Sequence, residues 1–533
     1  MDFVCRVVHL LYQRRKECNM SVRSTFFGIE IGRTGINVGQ KGLDVTGHNI
    51  SNVDTLGYTR QRLVTTAYEP FSGMHKFTPI DNALVGAGAR VMILDQIRSK
   101  FLDLQYRTEN NLSSYWDTRT QGLTYVRGLF EGSDISSLSD TLNTLFTAFN
   151  TETTEANDGE QRKLIQQSGI NLTTNMNMIY DRLIDQQQDQ DLAVKTEGEK
   201  VNTIAQSIVS LNETIYIYEL TGGIANDLRD KRNLLLDELS GLVDITYEES
   251  MDNKLTVKIG DVELVNHTSS RTIGFEEVTN SLGPTLDNVS ILVWQDAADP
   301  SIDGTAVKLT SGKIKSHMDL RDGTGVENAG IPYFVEQLNT LARALVQSIN
   351  EVHRQGYTHP ANPSGLSQTG VDFFDETAGI DNVTAGNIRL SQDILDSEYN
   401  IAASSEEIIA GNVVPGNQEN IKAIYNLINS SNIQVTLGGG TTVSVGSFNS
   451  FITGLLLDVA TTLQHSGDMG DTQFKQLTNI HQQRLSLSGV SLDEEMTNLI
   501  KYQHAYNGAS RVITTMDEAL ETIINKMGLV GRS

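Results

Sequence analysis

Cysteine is all but missing from this chain: its two thiols, Cys5 and Cys18, both precede Met20, and no other residue of the 533 carries one. Disulfides, thiolate catalysis and Cys-ligated metal are therefore excluded from Met20 onward. Proline is scarce, with none between Pro79 and Pro284. An interior proline costs a helix about 3 kcal/mol, so this interval permits long helices. Aromatic residues make up 6% and hydrophobic residues 38%, low for a compact enzyme but not low enough for disorder, which fits an elongated, helix-rich chain. Positive charge is in deficit. A formal net charge of −25 opposes binding to nucleic acid or to an anionic membrane, either of which needs clustered Lys and Arg. No apolar run approaches the roughly eighteen residues of a transmembrane helix.

The first nineteen residues lack the order of a secretory signal, since Arg14, Arg15 and Lys16 follow rather than precede the short apolar run. Residues 1–19 read as a non-native upstream extension, with Met20 the true start, or as a short disordered arm.

What is present is heptad periodicity at both ends. Near the C-terminus Leu492, Leu499, Tyr506, Ile513, Leu520 and Met527 recur every seventh residue, with Tyr502, Ala509, Met516 and Ile523 three further on. This is the stripe of a coiled-coil helix. Ser491 and Glu494 predict a capping box at its start, and Lys526 and Gly528 predict its stop. Such a helix is about 54 Å long and needs a partner. At the other end Ile29, Ile36, Leu43 and Ile50 repeat every seven residues beside a second row, Ile31, Val38 and Val45, and Gly28, Gly32, Gly35, Gly39 and Gly42 are interleaved. The two terminal heptads are expected to pair, leaving the glycine-rich face uncovered for a neighbouring subunit.

The N-terminal helix runs into TGHNISNVDTLGYTRQ, where Asn49, Asn52 and Gly57 favour a turn. In this stretch Asn49, Ile50, Ser51, Asn52, Thr55, Gly57 and Tyr58 resemble the signature shared by bacterial flagellar rod, hook and hook-associated proteins. Its continuation, Tyr58, Thr59, Arg60 and Gln61, resembles the hook-associated protein 1 branch, the hook-filament junction proteins. NDLRDKR at 226–232, MDLRD at 318–322, GYTHPANPSGLSQTGVDFFD at 356–375 and SGVSLDEEM at 488–496 are similar to the same branch. In larger members a β domain is inserted between the counterparts of Phe373–Phe374 and Ile401–Ala403; here only a short stretch separates them.

Between the ends, residues 62–95 read as a β-hairpin, and 96–130, 136–150, 160–220 and 225–241 as helices. QQQDQD at 186–191 reads as a solvated helix face or a local break, and the acids of NDLRDKRNLLLDEL as ion-paired and solvated rather than metal-binding. From Val243 the period changes to two, giving a β region to about 312 in which Asp296, Asp299 and Asp303 form a polar loop. Residues 331–355 return to helical spacing. His353 and His359 read as isolated surface histidines, since HExxH is absent. Residues 371–448 are mixed, with a helix over 420–429 and a turn at 438–440, and a helix covers 448–485.

The expected fold is mainly α with inserted β, elongated and multi-domain. Its expected parts are a terminal coiled-coil domain (20–60 with 490–533), a helical middle domain (61–242 with 313–370 and 449–489), a β domain (243–312) and a small mixed insertion (371–448). The resemblance implies a non-enzymatic junction subunit of the extracellular flagellum that self-assembles helically. It further implies contacts with the hook protein and with the next hook-associated protein or filament, and export through the flagellar type III apparatus without a cleaved signal. A cytosolic chaperone is implied for the C-terminal helix. Assembly residues are placed at Ile29, Ile36, Leu43, Asn49, Ile50, Asn52, Gly57, Tyr58 and Arg60, and at Leu492, Met496, Leu499, Tyr502, Tyr506, Ile513, Leu520 and Ile523. No catalytic, cofactor or metal residue stands out. Alternatives are a hook or rod subunit, or an enzyme or adhesin function on the outer region.

Overall fold

A computed structural model describes residues 26–68, 86–132, 137–152, 159–220, 222–250, 253–279, 288–296, 302–359, 367–407, 417–436 and 442–526. Residues 1–19, Gly528 and the turn at 438–440 lie outside them. The fold is mainly helical with small antiparallel sheets and separates into two compact units. Unit 1 gathers Met1–Leu104, Thr214–Leu234 and Ile480–Ser533; unit 2 holds Gln105–Glu213 and Leu235–Asn479.

The elements follow the sequence periods closely. They begin with α1 (Phe27–Ser51), the hairpin β1 (Gln61–Ala67) and β2 (Ala89–Gln96), α2 (Lys100–Glu131), α3 (Leu138–Glu152), the 61-residue α4 (Gly159–Glu219) and α5 (Asn226–Leu242). Strands β3 (Ile245–Glu249), β4 (Leu255–Ile259), β5 (Val262–Asn266) and β6 (Ser269–Ser270) form one antiparallel sheet. β7 (Thr272–Thr279) and β8 (Asn288–Gln295) form another. Asn253 and Gly260, at the β3–β4 and β4–β5 turns, have positive φ, as the sequence turns require. The chain continues through α6 (Lys313–Asp322), α7 (Ile331–His353), α8 (Gln392–Asp396), α9 (Glu419–Asn426), the hairpin β9 (Ile433–Thr436) and β10 (Thr442–Gly446), α10 (Phe448–Ser488) and α11 (Leu492–Glu521).

Both hydrophobic cores belong to unit 2. The larger buries Phe334, Leu338, Leu341, Leu345 and Ile349 of α7 with aromatic residues including Phe146, Phe149, Phe373 and Phe448. The smaller gathers Val194, Val201, Ile204 and Ile208 of α4 with Val257, Ile259 and Trp294 of the sheets. The described residues of unit 1 form nothing comparable. Among the described residues its only buried apolar side chains are Ala87, Ile215 and Ala225, while Leu56, Val91, Met92, Ile93, Leu492, Met496 and Ile500 are exposed.

Two expectations for unit 2 are corrected. QQQDQD does not break α4, and only part of it faces solvent: Gln188 and Asp189 are exposed, but Gln187 is buried and donates to the Arg321 carbonyl at 2.7 Å, and Asp191 accepts from Ser290 N–H at 2.8 Å and from Arg321 at 2.6 Å. Leu183, Gln187, Gln190 and Val194 fall on one helix face, so burial of the apolar pair buries the amides between them. Burial alone would raise the Asp191 carboxyl; its bonds to Ser290 and Arg321 outweigh that and hold it below the usual range. His353 is not a surface residue either. It is fully buried at the end of α7, whereas His359 is half-buried.

Candidate functional site: paired termini and the signature loop

In unit 1, α1 and α11 pack antiparallel along the glycines of α1. Gly28, Gly32, Gly35, Gly39, Gly42, Thr46 and Asn49 are spaced alternately by four and three residues, a single row along a helix. A Cβ on Gly28 would fall 1.9 Å from the Met516 side chain, on Gly32 2.5 Å from Ile513, and on Gly42 2.3 Å from the Tyr502 ring. At Gly39 it would lie 3.1 Å from the backbone of Tyr506. Met516, Ile513, Tyr506 and Tyr502 of α11 thus each sit over a missing side chain on α1.

The glycine face is therefore the covered face, which overturns the expectation that it stays open. Ile29, Ile36, Leu43 and Ile50, and Ile31, Val38 and Val45, flank this seam on either side and are half-buried. The reason is steric: with no Cβ on α1, the large side chains of α11 can lie directly against its backbone, and the aliphatic rows then close the edges. Glycine weakens α1 by about 1 kcal/mol per residue against alanine, so the helix depends on this packing.

On α11, Leu499, Tyr502, Tyr506, Ala509, Ile513, Met516 and Leu520 are half-buried, as the heptads require. Leu492, Met496 and Ile523 are exposed instead, at 48%, 53% and 44%. Leu492 and Met496 lie with Ile500 at spacings of four, an apolar ridge away from α1. α11 ends at Glu521 and continues as one π-helical turn, Thr522–Lys526.

At its other end the seam closes on polar groups. Asn49, buried, donates from Nδ2 to the Gln61 carbonyl at 2.8 Å and to Glu495 at 3.0 Å. Its Oδ1 accepts from the Tyr58 hydroxyl at 2.8 Å and from Gln61 N–H at 3.0 Å. Since the Tyr58 proton goes to Asn49, His48 Nδ1, 2.9 Å away, is the donor to Tyr58. Burial, aided by the charges of Asp227, Asp230 and Glu495, pushes the Tyr58 phenol above its ordinary range. Arg60 clamps two acids of α11, reaching Glu494 at 2.6 Å and the buried Glu495 at 2.7 Å.

Glu494 is thereby drawn away from the expected capping box. Ser491 is the N-cap residue of α11, but its side chain makes no capping bond. Asn52 caps α1 by donating to the His48 carbonyl at 3.0 Å, and Gly57 turns the loop with φ +78°. Leu56, between them, is 81% exposed.

NDLRDKR completes the site, with Asp227 engaged at an exposed position and Asp230 engaged and buried. Asp227 accepts from the Gln61 side chain at 2.8 Å, and the buried Asp230 accepts from Thr59 N–H at 2.9 Å. Arg98 lies 3.5 Å from Asp230 and pairs at 2.6 Å with the buried Asp103, which Arg484 approaches at 3.2 Å. Burial pushes the Asp230 carboxyl up to about 6, against the opposing bonds to Thr59 and the charge of Arg98.

Asn49, Tyr58 and Arg60, which the motif singles out, are thus brought together against α11. Glu495, Asp230 and Arg98 were missed. The signal for Glu495 was present: it extends the row Tyr502, Ala509, Met516 one heptad back, a charge in an apolar stripe, just as Asn49 extends the glycine row. A buried charge at such a position requires a partner. Among the described residues no group of three or more His, Cys, Asp or Glu side chains is placed to hold a metal, and no helix is long and apolar enough to cross a membrane.

A site built from the paired terminal helices matches what comparison with known proteins finds. A family model described as the flagellar hook-associated protein FlgK helical domain matches residues 123–374, and one described as the flagellar basal body rod FlgEFG protein C-terminal matches residues 481–526. The FlgK hook junction protein of Burkholderia pseudomallei shares the fold with a TM-score of 0.53 at 14% identity, covering 73% of this chain and 100% of that one. Flagellar hook-associated protein 1 of Salmonella typhimurium is 23% identical over 573 residues, spanning 92% of this chain and 98% of its own. The Bacillus subtilis protein of the same name is 31% identical over 529 residues, spanning 96% of this chain and all of its own. With both termini, the signature loop and nearly the full length accounted for, the chain belongs to the flagellar hook-associated protein 1 family.

Proposed function

We propose that this chain is a structural subunit of the bacterial flagellum that joins hook to filament by helical self-assembly through unit 1. The observation that carries this reading is the contrast between the units: among the described residues unit 2 holds both hydrophobic cores, while unit 1 has almost no buried apolar side chain and a dense exposed apolar surface. An apolar surface without a core marks an interaction site. Head-to-tail contacts that do not close generate a helical assembly. The ridge Leu492, Met496 and Ile500 and the loop tip at Leu56 are the surfaces assigned to neighbouring subunits, the hook protein and the next axial protein. The half-buried Ile29, Ile36, Leu43 and Ile50 rim the same module. Whole-length likeness to hook-associated protein 1 favours the junction over a rod or hook subunit.

The finer parts of this reading are those that the family resemblance implies. The subunit leaves the cytoplasm through the flagellar type III apparatus without a cleaved signal, a cytosolic chaperone shields α11 beforehand, and the chain works without catalysis or cofactor. The four-part domain division read from the sequence is kept as a proposed subdivision. A deletion strain tests the function: hooks without filaments and filament subunits lost to the medium are expected. Filamented hooks in that strain would overturn the reading.

A further inference from the structure

In unit 2, both ring nitrogens of His353 are engaged by backbone groups. It is fully buried, with Nδ1 2.7 Å from the Val371 carbonyl oxygen and Nε2 2.9 Å from the Ala402 amide nitrogen. A carbonyl only accepts and an amide N–H only donates, so the ring is neutral with its proton on Nδ1. One side chain on α7 thereby holds both ends of the segment from Val371 to Ala402.

Other groups hold one end each. Asn350 accepts from Phe373 N–H at 3.0 Å and Phe374 N–H at 2.9 Å, Arg162 donates to the Ile401 carbonyl at 2.8 Å, and Asn420 donates to the Ala402 carbonyl at 2.7 Å. Of these four, only the imidazole gains a charge on mild acidification.

We propose that His353 is a proton-operated pin. Protonation at Nε2 removes the acceptor for Ala402 N–H, sets two N–H groups against each other and frees the segment's C-terminal end from α7. The helical core beneath stays packed, because its apolar contacts do not involve the ring nitrogens. The charged groups facing the ring are Asp372, which favours protonation, and Arg162, which opposes it. Arg354, the residue that follows α7, is engaged with Asp372 and with Glu376 at the rim. The edge of Phe373, 5.6 Å between centroids, closes the remaining side. Burial dominates and pushes the imidazole down to about 4, so the pin holds at neutral pH and releases in acid.

The test is imidazole nitrogen NMR with amide exchange on the full chain from pH 7 to pH 3.5, for wild type and His353→Gln, whose carboxamide can bond but does not titrate. Wild type is expected to show the Nδ1–H tautomer at pH 7. Between pH 5 and 4, Ala402 should lose about tenfold of its protection beyond the intrinsic pH effect, while Leu341 and Leu345 keep theirs; the variant should show no such step. The same step in His353→Gln would assign it to Asp372 and Glu376 and overturn the pin. So would an Nε2–H tautomer, ring protonation without loss at Ala402, or simultaneous opening of α7. If the variant does not fold, the tautomer and the order of opening in wild type decide alone.

Discussion

Asp230 carries a buried carboxylate that holds the backbone of the signature loop yet has one oxygen, Oδ1, without a hydrogen-bond partner. Its folded-state value, about 6, lies above the ordinary 3.8. A raised value means the folded state holds the proton more tightly, so this contribution is full below about pH 4 and is lost as pH rises through 6. Asp230→Asn removes that dependence. The variant is expected to gain, relative to wild type, on the order of 2 kcal/mol between pH 4 and pH 7, read from exchange of the Thr59 and Gln61 amides. A difference independent of pH would show that Asp230 stays ionised throughout. The motif's turn residues and the grouping of Asn49 with Tyr58 were legible in the sequence because turn chemistry is local. The partners Glu495 and Asp230 were not, because they come from segments hundreds of residues away and only the fold decides which acid reaches the loop.

At the scale of elements, the pairing of α1 with α11 was legible and its face was not. Hydrophobic periodicity marks isoleucine rows as the seam, but glycine allows closer approach than isoleucine and took that place. This distinction is measurable. A methyl group at Gly39 meets the backbone of Tyr506 at 3.1 Å, whereas one at Gly47 or Gly508 meets nothing within 4 Å. Gly39→Ala is expected to loosen α11, because a backbone neighbour cannot swing aside. Gly47→Ala and Gly508→Ala are expected to stabilise the isolated subunit by about 0.5–1 kcal/mol each through helix propensity. Urea unfolding of the three variants checks the order. A Gly508→Ala subunit that is more stable alone yet fails to restore filaments would place that face of α11 against a neighbour.

For the whole molecule, the alternation of helix and strand and the low aromatic content indicated an extended, helix-rich chain, and the observed elements follow those periods. The split between a cored unit and a coreless one was not legible, because both contain amphipathic helices of similar pattern; what differs is how many neighbours cover them. Hydrophobic burial is the dominant stabilising contribution in folding, so a unit whose described residues bury little of it depends on association.

The absence of cysteine after Met20 gives the most direct test of that dependence. In a Cys5→Ser, Cys18→Ser background, Met496→Cys places a thiol on the exposed ridge of α11, and Leu457→Cys, also at an exposed position, serves as a unit 2 reference. Maleimide labelling is then compared between purified subunit and intact flagella. The account predicts that the thiol at 496 reacts freely in the subunit and is at least tenfold slower in flagella, relative to the thiol at 457. Equal relative rates in the two states would contradict assembly through unit 1.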